Sequence, residues 1–126
     1  MPAAIEELLR FDAPIQTLVR TTTRDVYLNG STIPAASRVN LIWASANRDE
    51  RRWSDPDRLD VTRDPQRHVA FGEGIHHCLG APLARLEGRI ALEELLKRIP
   101  EYAVSGPIMR ISTPTDRALE SLPVVF

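Results

Sequence analysis

Apolar residues Ile5, Leu8 and Leu9 fall on one side of a helix spanning residues 3–11, and Pro14 closes that segment. From 17 to 28 the pattern changes to a Thr- and Val-rich run, TLVRTTTRDVYL, that reads as extended strand. Asn29-Gly30 is a hairpin turn with its return at 31–33, and Arg38 to Trp43 reads as a further apolar strand. Residues 47–70 carry neither period. They are dense in arginine and aspartate, which predicts an irregular meander that ion pairs or a ligand must hold. After a glycine-rich stretch at 71–80 the helical period returns. Leu79, Leu83, Leu86 and Ile90 share a face that Leu95, Leu96 and Ile99 continue. Pro82 suits a first turn, and Pro100 ends the helix. The tail is punctuated by Gly106-Pro107, Pro114 and Pro123 and closes in Val124-Val125-Phe126, a pattern of small β-hairpins. The predicted class is α+β.

Composition narrows the functional classes. The 126 residues suffice for one domain with a modest core, and 43% hydrophobic with 26% charged residues is ordinary for a globular chain. A formal net charge of −1 gives no field that would draw nucleic acid or an anionic membrane. No apolar run approaches the ~20 residues of a bilayer span, and the N-terminus carries no signal-peptide pattern. A cytoplasmic protein is the expectation. The single cysteine excludes an internal disulfide and suits a reducing compartment.

That cysteine sits in Phe71-Gly72-Glu73-Gly74-Ile75-His76-His77-Cys78-Leu79-Gly80, at the N-terminal edge of the longest helix. Unpaired N–H groups and the helix dipole there favour the metal-binding thiolate. Gly72, Gly74 and Gly80 let the backbone curl around the sulfur and a flat ligand, with N–H groups able to donate to the sulfur. Phe71 would pack over that ligand and restrict water. Other readings of the same residues exist. Cys78 can be a small buried hydrophobe. Zinc held by Cys78, His76, His77 and His68 lacks the usual paired spacing. A Cys/His hydrolase has no identifiable base, and Gly72-x-Gly74 is half of a phosphate loop without its strand and helix.

The decamer resembles the haem-binding signature F-G-x-G-x-H-x-C-x-G of the cytochromes P-450, and Ala81-Pro82-Leu83-Ala84-Arg85-Leu86-Glu87 looks like its bacterial continuation. The resemblance implies that Cys78 is the axial thiolate of haem b (iron protoporphyrin IX). It implies cofactor-binding roles for Phe71, Gly72, Gly74 and Gly80, and propionate contacts from Arg20 and His76. Glu7-Leu8-Leu9-Arg10 is similar to the family's Glu-x-x-Arg pair. With Arg58, in Asp55-Pro56-Asp57-Arg58-Leu59-Asp60, it would form a buried structural triad. Asn47-Arg48-Asp49 and Trp53 also resemble the start of the family's meander. His68 and His77 read as structural or exposed residues. Ile15, Gln16 and Leu119 are weaker candidates to face a substrate.

By the same resemblance, residues 1–126 form the C-terminal haem-binding part of a mainly helical fold. Its order is Glu-x-x-Arg helix, small β-hairpins, meander, Cys-ligand loop, long helix and terminal β-hairpin. Everything upstream of the first helix is absent, including the helix that delivers protons to oxygen, as though translation began inside a longer gene. Two functions follow. One is haem-thiolate monooxygenation of a small hydrophobic substrate, with electrons from a ferredoxin attracted to Arg63, Arg67, Arg85 and Arg89. The other is a truncated haem-binding fragment that turns nothing over. Exposed apolar surface would favour self-association or a partner chain.

Overall fold

The computed structural model describes residues 1–64 and 67–126. Residues 65–66, inside the expected meander, lie outside the described residues.

Helix α1 runs Pro2–Phe11, with Ile5, Glu7 and Arg10 buried. Strand β1 (Thr17–Thr21) pairs antiparallel with β4 (Arg38–Ile42), in register from Thr17 opposite Ile42 to Thr21 opposite Arg38. Between them β2 (Val26–Leu28) and β3 (Ser31–Ile33) form a hairpin whose turn residues Asn29 and Gly30 have φ of 48° and 81°. Two left-handed residues in succession define the tight turn that matches strand twist, as the Asn-Gly pair predicts. The extended run expected over 17–28 is broken after Thr21. The apolar strand stops at Ile42, and Trp43 opens a short helix, α2 (Trp43–Ala46).

The described residues of the meander run through turns and bends. A single 3-10 turn, Gly74–His76, precedes α3 (Ala81–Arg98). The tail folds back as an inner pair, β6 (Met109–Arg110) with β7 (Leu119–Ser121), and an outer pair, β5 (Ala103–Val104) with β8 (Val124–Val125). The α+β arrangement is that predicted.

α1 crosses α3 with Ile5 lying against Gly88, 3.6 Å from where a Cβ would stand, and Ala81 is wholly buried at the start of α3. The small residues of α3 therefore face α1. The stripe Leu83, Leu86 and Ile90, which the periodicity marks as a core face, is exposed, as is Leu79 at 98%. The core is correspondingly small: Ile5, Ala13, Trp53, Ala70 and Ala81, together with the polar side chains Glu7, Arg10, Asn47 and His68. No helix among the described residues is long and apolar enough to cross a membrane.

Candidate haem-thiolate site

Two assemblies make up the site. The first joins α1 to the meander. Arg10 is 1% exposed, and all five of its N–H donors are used. Its Nε donates to Glu7 Oε2 at 2.7 Å, and Nη2 to Glu7 Oε1 at 2.8 Å and to the Arg58 carbonyl at 3.2 Å. Nη1 donates to the carbonyls of Asn47 (2.8 Å) and Pro56 (2.9 Å). Glu7 also accepts from the Asp60 amide at 3.0 Å and from Arg63 Nε at 3.3 Å. Burial alone would raise the Glu7 pKa. The hydrogen bonds from Arg10, the Asp60 amide and Arg63 outweigh it and hold the carboxyl below its usual range.

The third member of the triad is therefore Arg63, not Arg58. Arg58 is exposed and offers Arg10 only its carbonyl, because the turn beginning at Asp55 directs its side chain outward. Arg63 also donates to the carbonyls of Ser54 (2.7 Å), Asp55 (3.1 Å) and Arg58 (3.4 Å), tying the middle of the meander to Glu7. Arg48 adds a second strap, donating twice to the Phe11 carbonyl (2.7 and 3.2 Å) with its guanidinium 3.9 Å over the Phe11 ring.

The second assembly is the loop itself. Gly72 and Gly74 have φ of 72° and 66°, a region costly for any residue with a Cβ. At Gly72 an added Cβ would press the His76 carbonyl at 3.3 Å and the Trp43 indole at 3.4 Å, whereas at Gly74 it would meet nothing within 4 Å. The Cys78 amide donates to the Phe71 carbonyl at 2.8 Å and closes the loop. Cys78 itself is exposed, and its carbonyl accepts from Ala81, the first residue of α3. The sulfur thus stands just outside the helix N-terminus. No described residue donates a hydrogen bond to Sγ, contrary to the expectation that the glycine amides would. Gly80 instead supplies space, its missing Cβ standing 3.8 Å from Sγ.

Phe71 is half-buried and edge-on to His77, with ring centroids 6.4 Å apart. It packs within the protein, between His68, His77 and the Arg85 guanidinium, rather than over an open face. His76 ends the 3-10 turn and is exposed. Arg20 is half-buried on β1 and donates to the Val19 carbonyl at 3.0 Å. His68 turns away from the cysteine to Glu6, at 3.0 Å, so the four residues considered for zinc do not converge.

Of the weaker substrate candidates, Ile15 and Gln16 lie against the terminal turn. Ile15 bridges Asp116, the Gln16 amide donates to Thr115 at 2.7 Å, and Arg117 donates to Pro14 at 2.7 Å. This seats the 13–18 segment beside the terminal turn that leads to Leu119. The Gln16 side chain is spent locally on the Ala13 carbonyl. Four residues were not legible as parts of the site: Arg63, the Trp43 indole under Gly72, and the pair Glu6 and His68.

An exposed cysteine on a glycine-relieved loop at a helix N-terminus, with cationic groups on neighbouring elements, fits a thiolate-ligated haem. The donor set is a single soft sulfur, and open space lies around Gly74. Known proteins agree. Residues 1–100 match the family model described as Cytochrome P450, and the chain belongs to that family. It is 50% identical over 121 residues to Cytochrome p450 CYP199A2 of Rhodopseudomonas palustris, covering 96% of this chain and 29% of the relative. Identity to Cytochrome P450 130 of Mycobacterium tuberculosis is 54% over 106 residues, 83% of this chain and 26% of that one. Among solved structures, CYP109B1 from Bacillus subtilis matches with a TM-score of 0.95 at 43% identity, over 99% of this chain and 34% of that one. P450BioI, solved with an acyl carrier protein ligated to hexadec-9Z-enoic acid, also gives 0.95, at 41% identity over 99% and 33%. The chain spans about a third of the length of these relatives. Family membership implies a haem cofactor.

Proposed function

We propose that this chain is the C-terminal, thiolate-bearing part of a cytoplasmic haem b monooxygenase. The whole protein inserts one oxygen atom from O2 into a small hydrophobic substrate, with electrons from a ferredoxin or similar donor. The observation that carries the reading is Cys78, exposed at the mouth of the loop formed by Gly72, Gly74 and Gly80.

A haem held by Cys78 would supply an iron able to activate O2, its electron density raised by the thiolate. The chain's own residues do the holding. Cys78 provides the sulfur. Gly74 would keep a side chain off the flat ligand, Gly72 lets the loop close on the Trp43 indole, and Arg20 and His76 would neutralise the ligand's two carboxylates. Glu7, Arg10 and Arg63 fix the meander beneath the loop. Ile15 and Leu119 line the approach for an apolar substrate, and Gln16 orders the backbone there. Arg67 and Arg89 are exposed and suit an acidic donor, whereas Arg63 is committed to Glu7. Replacing Arg67 and Arg89 by Glu in the complete protein is expected to slow reduction at low salt and leave it unchanged at high salt.

The apolar stripe Leu79, Leu83, Leu86 and Ile90 favours a second, narrower reading, in which the 126 residues alone bind haem without turnover and self-associate or need a partner polypeptide. Haem titration followed by Soret absorption tests the assignments. Arg20→Leu and His76→Leu should weaken uptake without moving the band, and Cys78→Ala should move it. Unaltered uptake and spectrum in all three would overturn them.

A further inference from the structure

Glu6 is not part of the Glu7–Arg10 pair, yet it gathers two partners from distant parts of the chain. Its carboxylate receives Arg85 of α3 through Nε at 2.7 Å and Nη2 at 3.0 Å, and His68 Nε2 at 3.0 Å. The His68 side chain is 2% exposed. Its Nδ1 lies 3.2 Å from the Ala70 amide. An amide N–H only donates, so Nδ1 is the acceptor and Nε2 carries the proton given to Glu6. The ring is neutral and both its nitrogens are used. Burial first, against the opposing pull of Glu6, keeps His68 below the usual histidine range, in accord with that tautomer.

Beyond this ring lies Phe71. The Arg85 guanidinium stands 4.7 Å over its face and the His68 ring 6.1 Å away. The Phe71 carbonyl then accepts the Cys78 amide at 2.8 Å. A continuous set of contacts therefore runs from α1 and α3 to the cysteine backbone.

We infer that Glu6, His68 and Arg85 are positioning residues for Cys78, fixing Ala70 and Phe71 so that the thiolate stands where a flat metal complex can meet it. The inference rests on the reading of Cys78 as the iron ligand and adds a device that the haem-binding decamer does not contain. Each member contributes what a substitute of similar size lacks. Arg85 gives a planar fork and a stacking face that lysine cannot. His68 gives a donor and an acceptor on opposite sides of one rigid ring.

Two measurements test this. The first needs no haem: site-resolved amide exchange on the chain and on its His68→Phe and Arg85→Lys variants. Exchange at Cys78 is expected to rise about tenfold in both, with the amides of the Val26–Ile33 hairpin unchanged. His68→Asn, whose carbonyl can take the Ala70 N–H, should restore part of the protection. Unchanged exchange at Cys78, or an equal rise in the hairpin, would overturn the inference. The second follows the red-shifted ferrous–carbon monoxide band of the haem-loaded chain, expected to be lost about tenfold faster in both variants. A wild-type band retained equally by the variants would also overturn it. Absence of that band in wild type, with the exchange result standing, would sink the proposed function and leave the positioning role intact.

Discussion

The α1–meander junction and the cysteine loop lie side by side, yet they are built on opposite terms. At the junction, charges are buried and every donor of Arg10 is matched, so ion pairs do the work of an apolar core. At the loop, the sulfur and the apolar residues Ile75 and Leu79 face outward, and glycines and backbone contacts shape the chain over the anchored Phe71 ring. The contrast separates what makes this piece hold its form from what equips it to bind something else. An irregular meander needs a frame that does not depend on its ligand, and a binding loop must leave its chemistry uncovered.

The contrast breaks most severely if the frame is cut. Arg10→Met leaves the Glu7 carboxylate buried among unmatched carbonyls and is expected to cost about 3–5 kcal/mol, read from the denaturant midpoint. Arg63→Met removes one charged hydrogen bond from Glu7 and ties to three carbonyls, with an expected loss of about 1.5–3 kcal/mol. Arg58→Met in the same assay should leave the midpoint where it is. The reverse ranking would return the triad to Arg58.

Acid attacks the frame from a second side. His68 is held below its ordinary value of 6.5, so the unfolded chain takes up a proton that the folded chain resists. That contribution to stability is complete above 6.5 and declines as the pH falls below it. Glu7 is lowered from 4.5 by hydrogen bonds that overcome its burial, and Glu6 chiefly by Arg85, so a further loss follows below 4.5. Thermal midpoints should fall in that order, and His68→Gln should flatten the upper part of the decline. At the exposed face the effects are smaller and of another kind. Leu86→Glu with Ile90→Glu should leave the midpoint unchanged while reducing self-association in sedimentation velocity.

Much of this was legible in the chain before folding. The Asn29-Gly30 turn, the first helix and the spacing of Phe71, Gly72, Gly74, His76, Cys78 and Gly80 are local patterns, and local patterns carry their geometry with them. The meander has no period, so nothing in it distinguished Arg63 from Arg58 as the partner of Glu7. The Glu6 contacts join residues 62 and 79 positions apart, and no spacing rule reaches that far. The long helix misled in a simpler way. Its leucine stripe has the periodicity of a core face, yet α1 packs on the small side made by Ala81, Ala84 and Gly88. Periodicity marks an apolar face without saying what covers it.

Cys78, as a thiolate ligand presented by this chain, is the residue on which the proposed chemistry turns. The most direct measurement is the ferrous–carbon monoxide absorption spectrum of the haem-loaded chain beside Cys78→Ser. Thiolate ligation predicts a strongly red-shifted Soret band that the serine variant loses while keeping its unfolding midpoint. A band at the position of histidine-ligated haem in both proteins would contradict it.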